Sequence, residues 1–407
     1  MPSTQRASIA VVFAIVLLDM LGFGVIMPVL PQLIMQLGQM EVDSAAVFAG
    51  WLSAGYAVMQ FVFAPIIGNL SDRFGRRPVL LASVLAMAVD YTIMGLAPAL
   101  WWLVIGRIVA GMTGASWSAA YAYIADVTPP EKRAANFGLM GMAFGLGFIL
   151  GPALGGLLGA IDPRLPFFAS AALAFANFAF GFFVLKESLP AERRRPFDWA
   201  RANAFAALKA LRHQNRAVLW FVAALGTWSL AHVVYPAVWS YVAIAAWQFD
   251  ARQIGLSLAV VGLTSALVQG LGLRLLLPRL GERRAVTMGV LAFAGSAALY
   301  AVAGSVAMIY LAIVVGGLQG FIQPSIQALN SRAVDASSQG ELQGATQAIG
   351  SIAMILGPPL YSGILAKFSG AHSLVDLPTM PMLVAAGIAF VALALFWRGT
   401  VLLRRAG

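Results

Sequence analysis

The chain has 407 residues and no cysteine; 60% of it is hydrophobic, 10% is charged, the formal net charge is +10 and the mean hydropathy is +0.85. A soluble domain carries about 25% charged residues, so this composition excludes a water-facing globule, and the absent thiols exclude disulfides and thiolate metal sites. The excess of positive charge reads as basic loops that orient a membrane protein, with no nucleic-acid partner expected.

Apolar stretches of the ~20 residues needed to cross a bilayer predict twelve helices. They lie at 8–30, 46–68, 77–97, 100–124, 135–158, 164–186, 216–240, 253–276, 283–303, 305–330, 341–367 and 380–403. Arg6 opens a full-length apolar span with no small-residue cleavage site, so no cleavable leader is expected. In the first helix Asp19 sits about eleven residues in, roughly 16 Å deep at 1.5 Å per residue. An ionised Asp there costs about 2.5–3.5 kcal/mol on insertion scales. Burial favours the protonated form of a carboxyl, so Asp19 is expected to carry a proton or touch a substrate, the bland alternative being a neutral cap on a neighbouring backbone. Gln60 in the second helix is a polar side chain that would bind ligand in an aqueous cavity.

The stretch GNLSDRFGRRPVL (68–80) interrupts the apolar pattern with Asp72, Arg73, Arg76 and Arg77. Positive-inside topology accounts for its arginines and leaves the Asp unexplained. Asp90 and Arg107 each lie seven positions from the turn between helices 3 and 4, about 10 Å below the membrane edge. Either the two pair across the hairpin, or Arg107 faces a cavity and tunes Asp19. Helix 4 also carries Trp117 and Tyr121 as possible aromatic walls. Helix 5 has Gly147, Gly151, Gly155 and Gly159 at four-residue spacing beside Pro152. This flat stripe admits a second helix at close range; by symmetry the partner is expected in helix 11, with Gly350, Gly357 and Gly363.

Residues 191–215 form the polar linker between a six-helix bundle at 1–190 and another at 216–407. Its segment from Asp198 to Arg212 reads as a basic amphipathic helix on the membrane surface, or as a plain linker. Helix 7 adds Trp228, His232 and Trp239, and helix 8 adds Gln269. In helix 10, Gln319, Gln323, Gln327 and Asn330 recur at i, i+4, i+8 and i+11, a polar face that either lines a cavity or glues helices. The three histidines, 213, 232 and 372, lie too far apart in sequence for a metal cluster, and no metal is expected.

An even number of spans puts both termini on one side. That side collects 22 of the 26 Lys and Arg; the other holds Arg164, Arg252 and Lys367, and Arg107 lies inside a span. The split points to cytoplasmic termini. An offset of 206 residues maps Gly75 to Gly281, Arg77 to Arg283, Gly111 to Gly317 and the word ILGP at 149–152 to ILGP at 355–358. One offset without gaps argues for duplication of a six-helix unit. Parallel repeats of this kind build carriers with the substrate site near midplane. The offset takes Asp19 to Leu225, Asp90 to Ser296 and Arg107 to Ile313, so the ionisable chemistry sits in the first half. No GxxxxGK[ST] word and no hydrolytic cluster occurs, so neither an enzyme nor an ATP-driven pump is expected.

GNLSDRFGRRPVL resembles the signature loop of the major facilitator superfamily. LLDMLGFGVIMPVLP (17–31), IGRIVAGMTGA (105–115) and GLGFILGPALGG (145–156) resemble its drug/proton antiporter branch. With AVDYTIM (88–94) and ELQG (341–344), the resemblance is greatest to tetracycline efflux antiporters. It implies a fold of twelve helices in two pseudo-symmetric bundles and proton-coupled efflux of a small amphipathic compound by alternating access; proton-coupled import of a metabolite is the alternative. It implies a cytoplasmic latch made of Gly68, Asp72, Arg73, Gly75, Arg76, Arg77 and Asp126, with Asp72 facing the start of helix 11 around Gln339–Gln343 and Arg76 paired with Asp126. It implies proton coupling through Asp19, Asp90 and Arg107. Tetracycline exporters carry a His in helix 8 and an Asp in helix 9; Ser265 and Ala294 stand there in this chain. The proton gradient supplies the energy with no cofactor, and the expected form is a monomer in the cell inner membrane.

Overall fold

The computed structural model describes residues 3–114, 116–199, 216–334, 339–370, 373 and 375–406. The helices are α1 (Ser3–Ile26), α2 (Leu30–Gly38), α3 (Val42–Phe74), α4 (Arg76–Leu96), α5 (Leu100–Thr113), α6 (Ser116–Val127), α7 (Pro130–Gly159) and α8 (Leu165–Val184). They continue with α9 (Arg216–His232), α10 (Val234–Trp247), α11 (Ala251–Leu267), α12 (Leu277–Ala301), α13 (Val306–Gly316), α14 (Ile322–Arg332), α15 (Gln339–Lys367) and α16 (Met380–Ala406). Among the described residues ten helical stretches are long and apolar enough to cross a bilayer, and a further span is bent by 47° between Ala10–Ile26 and Leu30–Gly38. The fourth expected span falls on α5 and α6, either side of residue 115. Each of the twelve apolar stretches read from the sequence therefore has its helix, and the chain is a multi-pass membrane protein. Most of the expected amphipathic segment at 198–212 lies outside the described residues.

The charged stretch after the second span differs from a loop. Asp72 and Arg73 complete the last turn of the 33-residue α3, and Arg76 and Arg77 open α4. Gly75 alone breaks the helix, with φ 107° and ψ 161°. Gly281, its equivalent under the 206-residue offset, makes the same turn with φ 72° and ψ 157°. Helices run past the apolar core because Asp and Arg cost a helix little once water can solvate them, whereas a positive φ needs a glycine.

Two units divide the chain. One comprises Met1–Met40, Gly55–Ala204 and Phe249–Ala259; the other comprises Glu41–Ala54, Phe205–Gln248 and Val260–Gly407. Shifting 43–53 by 206 gives 249–259, so each unit takes up an equivalent stretch at the start of its counterpart's second span. In the first unit the core gathers Val12, Ile15, Val84, Tyr123, Ile124 and Met140, all buried. In the second, Val218, Val222 and Leu342 form a smaller cluster.

The glycine stripe of α7 is filled by α1. A Cβ on Gly151 would lie 2.8 Å from Gly24 Cα, and one on Gly147 3.0 Å from Leu21 N. Gly155 faces the Val25 backbone, while Gly24 faces Pro152. The far end of the stripe, at Gly156, meets Ala251 and Gly255 of α11. The expected partner, helix 11, is corrected to helix 1: a stripe shows that a backbone comes close without saying which one. On α15 the equivalent of Gly151 under the 206-residue offset, Gly357, meets Val233 between α9 and α10, whereas a Cβ at Gly350 or Gly363 would have no neighbour within 4 Å, so the close approach recurs at the duplicated glycine and not along a whole stripe.

Arg164, one of the three basic residues on the minority side, has a local use. Its Nη1 donates to the Gly95 carbonyl at 2.8 Å and its Nη2 to the Ala97 carbonyl at 2.9 Å, closing the C-terminus of α4. Cations at that pole satisfy carbonyls that have no partner within the helix.

Candidate functional site

The basic turn between α3 and α4 is built around Arg76. Its Nη1 lies 2.6 Å from Asp72 Oδ1 and donates to Ser71 Oγ at 3.2 Å, and its Nε donates to Asp126 Oδ2 at 3.2 Å. Both carboxylates remain partly exposed, 39% for Asp72 and 25% for Asp126, so each pair is worth no more than about 1 kcal/mol. Arg77 Nη2 donates to the Phe182 carbonyl at 2.6 Å. Arg73 is exposed and lies over the Phe74 ring, and Gly68 is unobstructed.

A residue unforeseen from the sequence completes this cluster. Glu187, just past α8, accepts from the backbone N of Arg76 (2.8 Å) through Oε1 and from that of Arg77 (3.3 Å) through Oε2. It therefore sits on the positive pole of α4. A Cβ on Gly75 would collide with Glu187 Oε2, so the glycine serves the turn and the carboxylate together. The segment after Glu187 continues along the same surface. Ser188 Oγ donates to Asp126 Oδ2 at 3.2 Å, Arg195 N to the Asp72 carbonyl at 3.1 Å, and Asn69 Nδ2 to the Asp198 carbonyl at 2.6 Å. The available signal was an acid, in KESLP, immediately after an apolar span.

Deeper in the first unit Arg107 Nη2 donates to Asp90 Oδ2 at 2.6 Å and to Met94 Sδ at 3.0 Å. Of the two arrangements open to Arg107, the structure has the pair across the hairpin. Asp90 is 1% exposed. Its Oδ1 and Arg107 Nε are buried and make no hydrogen bond, leaving unused capacity on both partners. Gly106 gives the room, since a Cβ there would strike Asp90 Oδ1. Arg107 also lies 5.7 Å from the Tyr56 ring centre, Tyr56 Oη accepts from Gln60 Nε2 at 3.4 Å, and Gln60 Nε2 reaches the Gly114 carbonyl at 3.3 Å. Gln60 thus belongs to one polar chain with Asp90 and Arg107.

Asp19 stands apart from that chain. It is 7% exposed, and the hydrogen bond on its carboxyl comes from Asn177 Nδ2 of α8, 2.9 Å from Oδ1. The sequence reading missed Asn177; the signal was a single amide in the otherwise apolar run FANFAF. Asp90 is matched by a cation and Asp19 by a neutral amide, which is the electrostatic difference between the two buried carboxyls.

In the second unit the amides of helix 10 do not share one environment. A 3₁₀ turn at Gly317–Phe321 shifts Gln319 in phase relative to α14. Gln319 Oε1 is buried and without a hydrogen bond, Gln323 is exposed, Gln327 is half-buried, and Asn330 is buried. Gln269 is exposed within a π-helical turn, Val268–Gly272. His232 keeps an exposed surface between the rings of Trp228 (5.7 Å) and Tyr235 (6.1 Å), and Tyr235 continues to Trp239 at 6.3 Å. Trp239 is buried against Tyr300 at 5.2 Å. His232 and Trp239 are therefore brought into one aromatic cluster. In the first unit Tyr121 is 37% exposed; the Trp117 side chain lies outside the described set.

A family model described as Major Facilitator Superfamily matches residues 12–358 and, again, 229–405. The chain is 42% identical to the tetracycline resistance protein, class C, of Escherichia coli, over 88% of this chain and 90% of that protein. It is 39% identical to the class G protein of Vibrio anguillarum, over 90% of this chain and 92% of that one. Among solved structures, that of the human organic anion transporter MFSD10 (TETRAN) aligns with a TM-score of 0.70 at 22% identity, covering 97% of this chain and 100% of that one, a likeness of fold.

Proposed function

This chain belongs to the major facilitator superfamily, and we propose that it exports a small amphipathic compound in exchange for protons, with tetracycline the first substrate to test. The relatives that span nearly its whole length are tetracycline resistance proteins. The single observation that carries the proton-coupled part is Asp19: a carboxyl in the first membrane helix, 7% exposed, whose partner is an amide.

A proton carrier must exist in two protonation states at tolerable cost. Asp90 is paired with Arg107 at 2.6 Å; neutralising it would leave a buried cation without its counter-ion. Asp19 has no such constraint, so it takes the proton, while Asp90 and Arg107 keep helices 3 and 4 in register beside it. A 100 mV potential supplies about 2.3 kcal/mol per charge moved, enough to bias release of the compound on the far side and reset the carrier. The Arg76 cluster acts as the cytoplasmic latch. Its exposed pairs are individually weak, which suits contacts that must break in every cycle. Each unit offers groups of its own suited to the compound: Gln60 with the Tyr121 ring in the first, and Gln269, Gln319, Gln323, Gln327 and His232 with the Trp239 ring in the second. The carrier works without a cofactor, as a monomer in the inner membrane with both termini in the cytoplasm.

Everted vesicles holding the protein test this directly. Tetracycline should accumulate when a proton gradient is imposed, accumulation should vanish when an ionophore collapses the gradient, and Asp19→Asn should abolish it at normal protein levels. Accumulation indifferent to the collapsed gradient would falsify proton coupling. Ser265 and Ala294 stand where tetracycline exporters carry ionisable groups, so a panel of other amphipathic drugs belongs beside tetracycline in the same assay.

A further inference from the structure

α8 is strung along α1 by two buried polar rungs seven residues apart. Ser170 Oγ donates to the Gly22 carbonyl at 2.9 Å, and Asn177 Nδ2 donates to the Ile15 carbonyl at 2.9 Å. Ser170 is 0% and Asn177 1% exposed. The first rung ends at its carbonyl. The second forks, because the same Nδ2 also donates to Asp19 Oδ1 at 2.9 Å.

An amide nitrogen carries two hydrogens, and both are used here. The Ile15 carbonyl can only accept, so it decides which end of the amide faces Asp19: the nitrogen, never the oxygen. Asn177 Oδ1 is left buried with no donor, and a stranded buried acceptor is destabilising. If holding α8 to α1 were the whole task, a serine would do it as Ser170 does, with no oxygen to strand. What an asparagine adds is the second hydrogen, the one that reaches Asp19. Among the described residues, the other helices packed around Asp19, α6 included, bring no competing charge. α7 presents Gly147 and Gly151 at this level, and α4 brings the Tyr91 ring, 3.3 Å from where a Cβ on Gly22 would stand. Arg107, the nearby cation, is committed to Asp90.

We infer that Asn177 is the positioning residue of the proton cycle, holding the ionised Asp19 carboxylate against α8 and loosening its hold when Asp19 takes a proton. A hydrogen bond to an ionised acceptor is roughly twice as strong as one to a neutral acceptor. With its orientation locked by Ile15, the amide cannot turn its oxygen to accept from the protonated acid. Protonation therefore weakens the α1–α8 link at Asp19 and leaves the Ser170 rung untouched. The inference rests on Asp19 being the proton carrier.

The test compares two tetracycline assays in the same vesicles, gradient-driven accumulation and gradient-free counterflow, and reads their ratio. Asn177→Ser retains a single hydroxyl donor and loses the second hydrogen; Asn177→Leu keeps much the same volume and loses both. Both should lower the ratio about ten-fold, the size of a lost hydrogen bond to a charged group, and Ser170→Ala should leave it at the wild-type value. A wild-type ratio in Asn177→Ser overturns the inference. So does a fall that Ser170→Ala reproduces, since the role is then packing. If Asp19→Asn itself leaves the ratio unchanged, the proton-carrier reading fails and this one with it; if Asp19→Asn abolishes coupling and Asn177→Ser does not, only the role of Asn177 fails.

Discussion

Removing Arg107 alone should damage the protein more than removing Arg107 and Asp90 together. The pair is 2.6 Å apart, Asp90 is 1% exposed, and the Arg107 side chain is 14% exposed. Arg107→Leu leaves a carboxylate among apolar side chains, and breaking a buried ion pair from one side costs about 3–5 kcal/mol. Asp90→Asn leaves the guanidinium unpaired at a similar cost. The double variant leaves no uncompensated charge, so most of the loss should return. Hydrogen bonds between membrane helices typically couple by about 0.6 kcal/mol and reach about 1.7; an ionic pair this buried should exceed that range, at about 3 kcal/mol. In a unit of roughly 200 residues, 1 kcal/mol moves the midpoint about 2–4 °C. Each single variant in detergent should therefore unfold on the order of 10 °C below wild type by tryptophan fluorescence, with the double variant within a few degrees. Single and double variants that lose stability additively would mean that the two residues act separately and that the pairing argument is wrong. The exchanged variant, Asp90→Arg with Arg107→Asp, should retain part of the transport, and its complete inactivity at normal expression would count against pairing.

Two further outcomes follow from close contacts. Gly151→Val should abolish transport and lower the protein's thermal midpoint, because its Cβ would stand 2.8 Å from Gly24 Cα; Gly350→Val on α15, with nothing within 4 Å, should be tolerated, and equal damage from both would refute the assignment of α1 as the partner of the stripe. Glu187→Gln should cost about 0.5–1 kcal/mol by removing a charge from the α4 N-terminus, and Gly75→Ala should cost more, since it meets both a φ of 107° and the Glu187 carboxylate; an order reversed in detergent unfolding would show that Glu187 matters and the turn does not.

The twelve spans were legible because burial in lipid forces about twenty apolar residues per crossing and lets almost nothing else through. The turn at Gly75 and its equivalent at Gly281 were legible as a repeat, and the structure gives both the same left-handed turn. The charged stretch beside Gly75 was read as loop, because polarity marks where lipid ends and says nothing of where a helix ends. The helix 10 amides were spaced as one face, yet a 3₁₀ turn sets Gln319 apart and the other three differ in burial along α14.

Composition, the hydropathy pattern and the 206-residue repeat were enough to establish a duplicated membrane carrier and to single out Asp19, Asp90 and Arg107, because a charge in lipid is too costly to go unnoticed. The partners were another matter. That Asp90 holds Arg107, that Asn177 holds Asp19, that Glu187 closes the α4 terminus and that α1 fills the α7 stripe all depend on which helix lies beside which. Hydropathy is a property of each helix against a solvent that is the same on every side, so it carries no record of neighbours; those are selected by side-chain shape and by single hydrogen bonds once the helices have met.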